Sequence, residues 1–178
     1  MIKFTQHKSP SYKGRTESNV MLSDVTIAFA IDFSTQGEVL TKNLAKKHDK
    51  PYLAISLAQD MSVEKLSDRI VLFLNDNFSE DQEITLNIAG NGIYTLKTLQ
   101  EIWDDALTKI LRKVLSRRLL PIISKVRTGG QTGIDEAAAK AAYRNGIPTE
   151  VLAPKGWKFR SIDGKDISDY EQFVKRFQ

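Results

Sequence analysis

Cysteine is absent from this chain, and histidine occurs only twice, at His7 and His48. The lack of cysteine excludes disulfides, thiolate metal sites and cysteine nucleophiles, and it fits a reducing compartment. The two histidines lie far apart in the sequence, and neither belongs to a glycine-rich segment. A histidine-rich metal site or a serine–histidine–aspartate relay is therefore not indicated, and we predict no metal site.

Long apolar runs are also missing. No segment approaches the roughly 20 apolar residues that span a bilayer, and Met1–Lys13 lacks the apolar centre of a secretory signal. We therefore expect a cytoplasmic protein without a membrane partner. The length of 178 residues suits one domain over residues 1–178. The net charge of +4 suits an anionic ligand but is too small to demand nucleic acid.

Glycine is concentrated in Lys125–Glu136, which reads KVRTGGQTGIDE. A β-prone run ends at Val126, and an alanine-rich helix is predicted from Ile134 to Asn145. Glycine allows close approach of a ligand to the backbone, and the first N–H groups of a helix have no partner within it. The segment therefore predicts an anion pocket, with a plain tight turn as the alternative. Neither the Walker pattern nor G-x-G-x-x-G spacing is present.

Runs typical of strands alternate with segments of helical periodicity along the chain. The predicted strands are 2–5, 25–31, 51–57, 84–89, 122–126 and 148–153, and the predicted helices are 15–20, 37–48, 63–74, 97–115, 134–145 and 170–177. Thr98 and Glu101 have the spacing of a capping box at the start of the fourth helix. This order predicts an α/β fold with a doubly wound, mostly parallel sheet and helices on both faces.

Ligands of such sheets bind beyond the carboxyl ends of the strands, at a switch point of the topology. Five segments are predicted to lie there: 32–38, 58–60, 90–95, 128–135 and 154–160. Three of them are glycine-bearing turns that lead into helices. Their coincidence favours nucleotide binding.

Three motifs resemble the signature of the YpsA-like proteins: GGQTGID at 129–135, GIP at 146–148 and APKG at 153–156. These proteins belong to the Rossmann-like SLOG superfamily and are often labelled putative molybdenum carriers. Residues 15–20, 25–31, 50–51 and 86–90 match them too. In that family the GGQTG half normally comes first, whereas here it comes last. The chain therefore resembles a circularly permuted YpsA-like domain over roughly residues 12–165, which implies a Rossmann-like fold and a nucleotide-type ligand. Nothing in the residues selects a metal cofactor over another phosphorylated ligand.

A more distant resemblance is to the LOG-type phosphoribohydrolases, which split nucleoside monophosphates into base and ribose phosphate. The spacing from Arg15 to Asp24 matches their arginine-to-aspartate spacing. The Pro-Gly-Gly loop of those enzymes has no match in this chain. Ser34–Glu38 lacks the double glycine, and Thr41 stands where the catalytic glutamate would be. This departure favours a protein that only binds its ligand. The alternative is an N-glycosidic hydrolase that uses Arg15 with Glu38 or Asp135.

Candidate site residues follow from the turns and the resemblance. Arg15 could clamp a phosphate or form a surface ion pair, and Glu38 and Asp135 could serve as acid and base or complement helix dipoles. Asn91 could need a left-handed backbone or offer its amide to a base. The candidate ligand-binding residues are Arg15, Asn19, Ser34, Thr35, Gly37, Gly90, Asn91, Gly92, Gly129, Gly130, Gln131, Thr132, Gly133, Asp135 and Lys155.

The partners follow from the same residues. We expect a nucleotide or a phosphorylated ribose as ligand, no other cofactor, and a homo-oligomer. Residues 109–127 hold seven basic side chains and no acid, but no aromatic residue interleaves with the basic ones, so nucleic acid is not favoured.

Overall fold

The computed structural model describes residues 1–58, 62–117 and 120–178. Its strands are β1 (Ile2–Gln6), β2 (Val25–Ala30), β3 (Tyr52–Ser56), β4 (Glu83–Gly90), β5 (Ile122–Thr128), β6 (Thr149–Ala153), β7 (Lys158–Arg160) and β8 (Asp166–Ser168). Its helices are α1 (Tyr12–Met21), α2 (Gln36–Lys47), α3 (Val63–Asn77), α4 (Ile93–Leu96), α5 (Gln100–Leu115), α6 (Ile134–Arg144) and α7 (Tyr170–Lys175). Arg118 lies outside the described residues, and so do residues 59–60 of the predicted segment 58–60.

The main sheet has six strands in the order β1-β6-β5-β4-β2-β3, and every neighbouring pair is parallel. All six residues of β2 are buried, because the strand lies inside the sheet and is covered on both faces. The short strand predicted at the N-terminus is present as β1, at the edge beside β6. The predicted α/β fold with a parallel, Rossmann-like sheet is confirmed.

Helices cover both faces of the sheet. The apolar stripes of α3, α5 and α6 form the main core with β2, β4 and β5, whereas α1 and α2 pack together through Val20, Leu44 and Ala45 on the opposite face. The apolar side of α7 packs on β1 and β6 through Phe173 and Phe177. No helix within residues 1–58, 62–117 and 120–178 is both long and apolar enough to cross a membrane.

Three local predictions are wrong. Helix α5 begins at Gln100, its N-cap is Leu99 without a side-chain cap, and so no capping box forms at Thr98. Lys97 adopts a left-handed backbone (φ 54°) between α4 and α5, so the helix predicted from Lys97 begins three residues later. Helix α1 begins at Tyr12, before the predicted start. The antiparallel hairpin β7–β8 was not predicted.

The chain reverses its direction across the sheet between β2 and β4. From β2 it passes to β3 at the edge, and it then returns to β4 on the other side of β2. The loops that follow β2 and β4 therefore diverge at the carboxyl edge and leave a crevice, as expected of a doubly wound sheet.

Candidate functional site

A cleft of about 710 Å³ lies over this switch point. It is bordered by α1, the start of α2, the turn after β4, the turn before α6 and the β7–β8 hairpin. Its volume is within the range of small-molecule sites, roughly 300–1,000 Å³. Ten of the predicted site residues line it: Arg15, Thr35, Gly37, Glu38, Gly90, Asn91, Gly92, Gln131, Thr132 and Asp135.

Arg15 is a buried cation on the floor of the cleft. Its side chain projects from α1, it is only 2% exposed, and its guanidinium lies over the Tyr12 ring at 5.3 Å from the centroid. With the Gln131 amide oxygen turned toward it, Arg15 donates to that oxygen from Nη2 (3.0 Å) and Nη1 (3.2 Å). Burial lowers the pKa of Arg15, although Asp135 and Tyr12 oppose that shift.

No carboxylate oxygen of the described residues lies within 4.0 Å of the Arg15 guanidinium. By contrast, the buried Arg127 pairs with Glu150, and the partly buried Arg176 pairs with Glu136. The alternative of a surface ion pair for Arg15 is therefore wrong. A buried charge without a charged partner is costly to maintain, so a cation that faces an open cleft favours an anionic ligand there.

Glu38 stands at the start of α2, where Thr35 caps the helix. Its carboxyl group is 4% exposed, its Oε1 accepts from Asn91 Nδ2 at 3.5 Å, and its Oε2 has no hydrogen-bond partner among the described residues. Burial raises the pKa of Glu38 to about 7, and the charge of Asp135 adds to the increase. Glu38 is therefore divided between its neutral and charged forms near neutral pH.

Asp135 is the second carboxyl group of the cleft, in the first turn of α6. Its Oδ2 accepts a hydrogen bond from the backbone N–H of Gln131 at 3.2 Å. Burial raises the pKa of Asp135 to about 6, while Arg15 favours the charged form. A Cβ on Gly129 would lie 2.5 Å from Asp135 Oδ2 and 3.7 Å from Arg15 Nε. The absence of a side chain at Gly129 therefore leaves room for both groups.

Amides at the start of α6 are not free to form the anion pocket expected from the sequence. The N–H groups of Gly133, Ile134 and Glu136 donate to Gln100 Oε1 (2.7 Å), Asn91 O (3.1 Å) and Gln131 O (3.1 Å). Because the start of α6 is largely satisfied from within the protein, the tight-turn alternative describes this segment.

The remaining glycines of the turn serve packing. Gly130 has φ of 78°, and a Cβ there would lie 2.7 Å from Phe173 and 2.8 Å from Val151. Gly133 has φ of 107°, and its Cβ would lie 2.6 Å from Asn91 O. Neither residue lines the cleft, so their predicted contact with a ligand has no support.

Asn91 holds two loops together instead of offering its amide to a base. Its Oδ1 accepts from the Ile31 and Asp32 amides at 2.9 and 3.1 Å, and its Nδ2 donates to Asp32 O at 3.0 Å. It is absent from the residues with positive φ, so the left-handed alternative is also wrong. Asn91 thereby fixes the spacing of the strands on either side of the switch point.

Three other candidates lie away from the cleft. Ser34 is exposed and donates to Asp32 Oδ1 within its own turn, and Lys155 is exposed on the turn that follows β6. Asn19 lies behind Arg15 and lines a polar cavity of about 20 Å³, in which its Oδ1 has no partner. That volume accommodates about one water molecule.

Sequence reasoning did not select several residues that line the cleft, although three of them lie in the segments 90–95 and 154–160 that it placed at the strand ends. These residues are Tyr12 of α1, Tyr94 of α4, and Lys158, Arg160, Asp166 and Ser168 of the hairpin. The hairpin strands, KFR and DIS, alternate polar and apolar residues but are too short for that pattern to stand out. The basic run at 109–127 is partly neutralised, because Arg117 pairs with Glu64 and Asp68 and Lys113 pairs with Glu64.

A protein family and a solved structure are similar to parts of this chain. The model of the circularly permuted YpsA SLOG family matches residues 2–111, more than half of the chain, and the match ends before the GGQTG turn. No curated protein matches. A solved structure, that of a putative molybdenum carrier protein from Syntrophus aciditrophicus, is 30% identical with a TM-score of 0.49. The similarity covers 60% of this chain and 61% of that one. On the family match, the chain belongs to the circularly permuted YpsA family of the SLOG superfamily.

Proposed function

We propose that this protein binds a nucleotide or a nucleotide-derived ligand with a phosphorylated ribose, and that the phosphate contacts Arg15. The observation that carries the proposal is the environment of this arginine, which is 2% exposed, faces the cleft and has no carboxylate partner among the described residues. Arginine binds phosphate oxygens through two parallel N–H groups. A ligand phosphate would supply the direct ionic contact that no carboxylate of the described residues makes with this guanidinium.

The rest of the cleft suits the sugar and base. Tyr12 and Tyr94 offer aromatic faces, while Thr35 and Thr132 offer hydroxyl groups. Glu38 and Asp135 are carboxyl groups that accept hydrogen bonds from ribose hydroxyls when charged. The protein would act as a sensor, a carrier or a sequestering protein for this ligand.

Equilibrium binding by calorimetry tests the proposal with AMP, ADP, ADP-ribose, ribose 5-phosphate, adenosine and molybdate. Molybdate is included because the similar solved structure is that of a putative molybdenum carrier protein. We expect phosphorylated ribosides to bind more tightly than adenosine or molybdate. Arg15→Ala should lower their affinity about 10- to 100-fold, the loss of a charged hydrogen-bond pair.

The matched control is Arg112→Ala, which removes an exposed arginine from α5, away from the cleft. This variant should bind as the unaltered protein does. Equal affinities of the Arg15→Ala and Arg112→Ala proteins for AMP would contradict the proposal, and so would a preference for molybdate.

A second candidate function is N-glycosidic hydrolysis of the bound nucleotide. It is favoured by Glu38, whose pKa of about 7 and unpartnered Oε2 suit a general acid or base at neutral pH. Incubation with AMP and detection of free adenine tests it. Release that is lost in both Glu38→Gln and Asp135→Asn would support hydrolysis, whereas release that survives in both would exclude these residues from it.

The remaining expectations concern partners and location. A homo-oligomer stays a prediction, which sedimentation of the purified protein would test. So does the cytoplasmic location. We propose no nucleic-acid partner, and the expected result is weak DNA binding with little salt dependence, since phosphate contacts make affinity fall steeply with salt.

A further inference from the structure

The outer wall of the cleft is the β7–β8 hairpin, which lies beyond the part of the chain that the family model matches. Its pairing places Lys158 opposite Ser168 and Arg160 opposite Asp166. Alternate residues of a strand point to opposite faces, and all four of these side chains line the cleft. The residues between them, Phe159 and Ile167, belong to the apolar cluster around Phe173.

The hairpin is held against the site by two hydrogen bonds. Thr132 Oγ1, from the turn before α6, donates to Arg160 O at 3.1 Å, and Tyr94 OH, from α4, donates to Ser161 O at 2.5 Å. Phe159 is 6% exposed and anchors the hairpin from its other face. The cations of the hairpin therefore stand at a defined wall of the cleft rather than on a free loop.

The two cations of this wall, Arg160 and Lys158, differ in whether they form an ion pair. Arg160 forms a two-point pair with Asp166, from Nε to Oδ1 at 2.6 Å and from Nη2 to Oδ2 at 2.9 Å. No carboxylate of the described residues lies within 4.0 Å of the Lys158 ammonium group. At longer range Lys158 still acts on Asp166, since its charge contributes to the lowered pKa of that carboxyl group. The charges of Lys158, Arg160 and Asp166 therefore sum to one net positive charge on the wall, separate from that of Arg15 on the floor.

We propose that Lys158, supported by Arg160 and Ser168, forms a second anion subsite, so that the preferred ligand carries a second phosphoryl group beyond the one on Arg15. This inference rests on the proposed function. Arg15 serves the inner phosphate of any phosphorylated riboside, and the hairpin distinguishes diphosphates from monophosphates. Ser168 adds a hydroxyl donor to the outer group.

The test is calorimetric titration of AMP and ADP in magnesium-free buffer, with three proteins. The unaltered protein should bind ADP about 10-fold more tightly than AMP, the effect of one hydrogen bond to a charged group. Lys158→Ala should lower ADP affinity about 10-fold, more than it lowers AMP affinity, and so remove that preference. Lys165→Ala is the control, because Lys165 lies on the same hairpin but pairs with Asp163 and does not line the cleft.

The outcomes separate this inference from the proposed function. If AMP binds through Arg15 but ADP binds no more tightly, or if Lys158→Ala weakens both ligands equally, the second subsite is wrong and the proposed function stands. The subsite is also wrong if Lys165→Ala acts as Lys158→Ala does. If neither nucleotide binds, both are overturned.

Discussion

At the scale of single residues, Glu38 has the most unusual environment in the cleft. It is 4% exposed at the start of α2, close to the phenol of Tyr52, and the pKa of Tyr52 is raised to about 12 by burial and by the charge of Glu38. A carboxyl group in this position is more stable neutral than charged. The native state therefore binds a proton that the unfolded chain releases.

The pKa of Glu38 makes the stability of the protein depend on pH. Its native pKa of about 7 exceeds the unfolded value of 4.5, so its stabilising contribution is complete below pH 4.5 and is lost as pH rises to about 7. Relative to the unaltered protein, Glu38→Gln should therefore gain on the order of 1–3 kcal/mol in free energy of unfolding between pH 4.5 and pH 8. Urea unfolding at both pH values measures this gain, and Glu80→Gln on an exposed loop is the control. No gain relative to that control would contradict the burial of the Glu38 carboxyl group.

Gly130 and Gly146 offer a matched comparison at the same scale. Both have positive φ, 78° and 76°, but a Cβ on Gly130 would collide with Phe173 and Val151, whereas no atom lies within 4 Å of one on Gly146. Gly146→Ala should cost about 1–2 kcal/mol for the left-handed backbone. Gly130→Ala should cost a further 1–3 kcal/mol or so for overpacking. Urea unfolding midpoints compare the two variants, and equal losses would mean that the contact with α7 is not tight.

At the scale of elements, α5 is joined to the turn before α6 by one side chain. Gln100 donates from Nε2 to Gly133 O at 2.9 Å and accepts from Gly133 N–H at 2.7 Å, which reproduces the pairing of a peptide group. Its Nε2 also reaches Asp104 Oδ1, and Asp104 pairs with Lys140 of α6. This polar contact between α5 and α6 adds to their apolar packing.

Removal of the Gln100 amide should destabilise this connection. Gln100→Ala leaves the buried N–H of Gly133 without a partner, whereas the Gly133 carbonyl keeps its bond from the Ala137 N–H. An unpaired buried donor costs about 1–3 kcal/mol, so a loss of that size in the free energy of unfolding is expected. Gln172→Ala, an exposed site on α7, is the control. A variant as stable as this control would show that solvent replaces the Gln100 amide at no cost.

The strands and helices that could be predicted from the sequence are those whose patterns depend on residues close together in the chain. The six parallel strands and the helices α2, α3 and α6 follow from apolar periodicity, which depends only on neighbouring residues. The β7–β8 hairpin has strands of three residues each, too short for such a pattern to stand out. The start of α5 was misplaced because Lys97 takes a left-handed backbone that no local residue preference indicates.

The site was predicted in part for the same reason. Parallel strand order placed Glu38 and Asp135 at one edge, the family resemblance added Arg15, and the structure brings all three to the same cleft. The engagement of the Gly133 and Ile134 amides was not foreseen, because their partners, Gln100 and Asn91, lie more than 30 residues away in the chain. Contacts of that kind depend on tertiary packing.

At the scale of the whole molecule, the chain contains two tryptophans in different clusters. Trp103 packs against the main core from α5, and Trp157 packs with Tyr170 and Phe173 near α7. If residues 1–178 form one domain, as the sequence predicts, both clusters should unfold together. Trp103→Phe and Trp157→Phe each leave one fluorescent reporter.

In each single-tryptophan protein, the urea midpoint from fluorescence should equal the midpoint from far-ultraviolet circular dichroism, as two-state unfolding requires. Comparison within each variant removes any effect of the substitution on stability. Separate midpoints in the variant that retains Trp157 would show that the C-terminal cluster unfolds independently of the main core.

The most direct measurement of the central claim is a crystal structure of the protein with the nucleotide that binds most tightly in the calorimetric panel. We expect a phosphate oxygen within hydrogen-bond distance of Arg15 Nη1 or Nη2, inside the cleft over the switch point between β2 and β4. A nucleotide whose phosphate lies elsewhere, with Arg15 still donating only to Gln131, would contradict the claim.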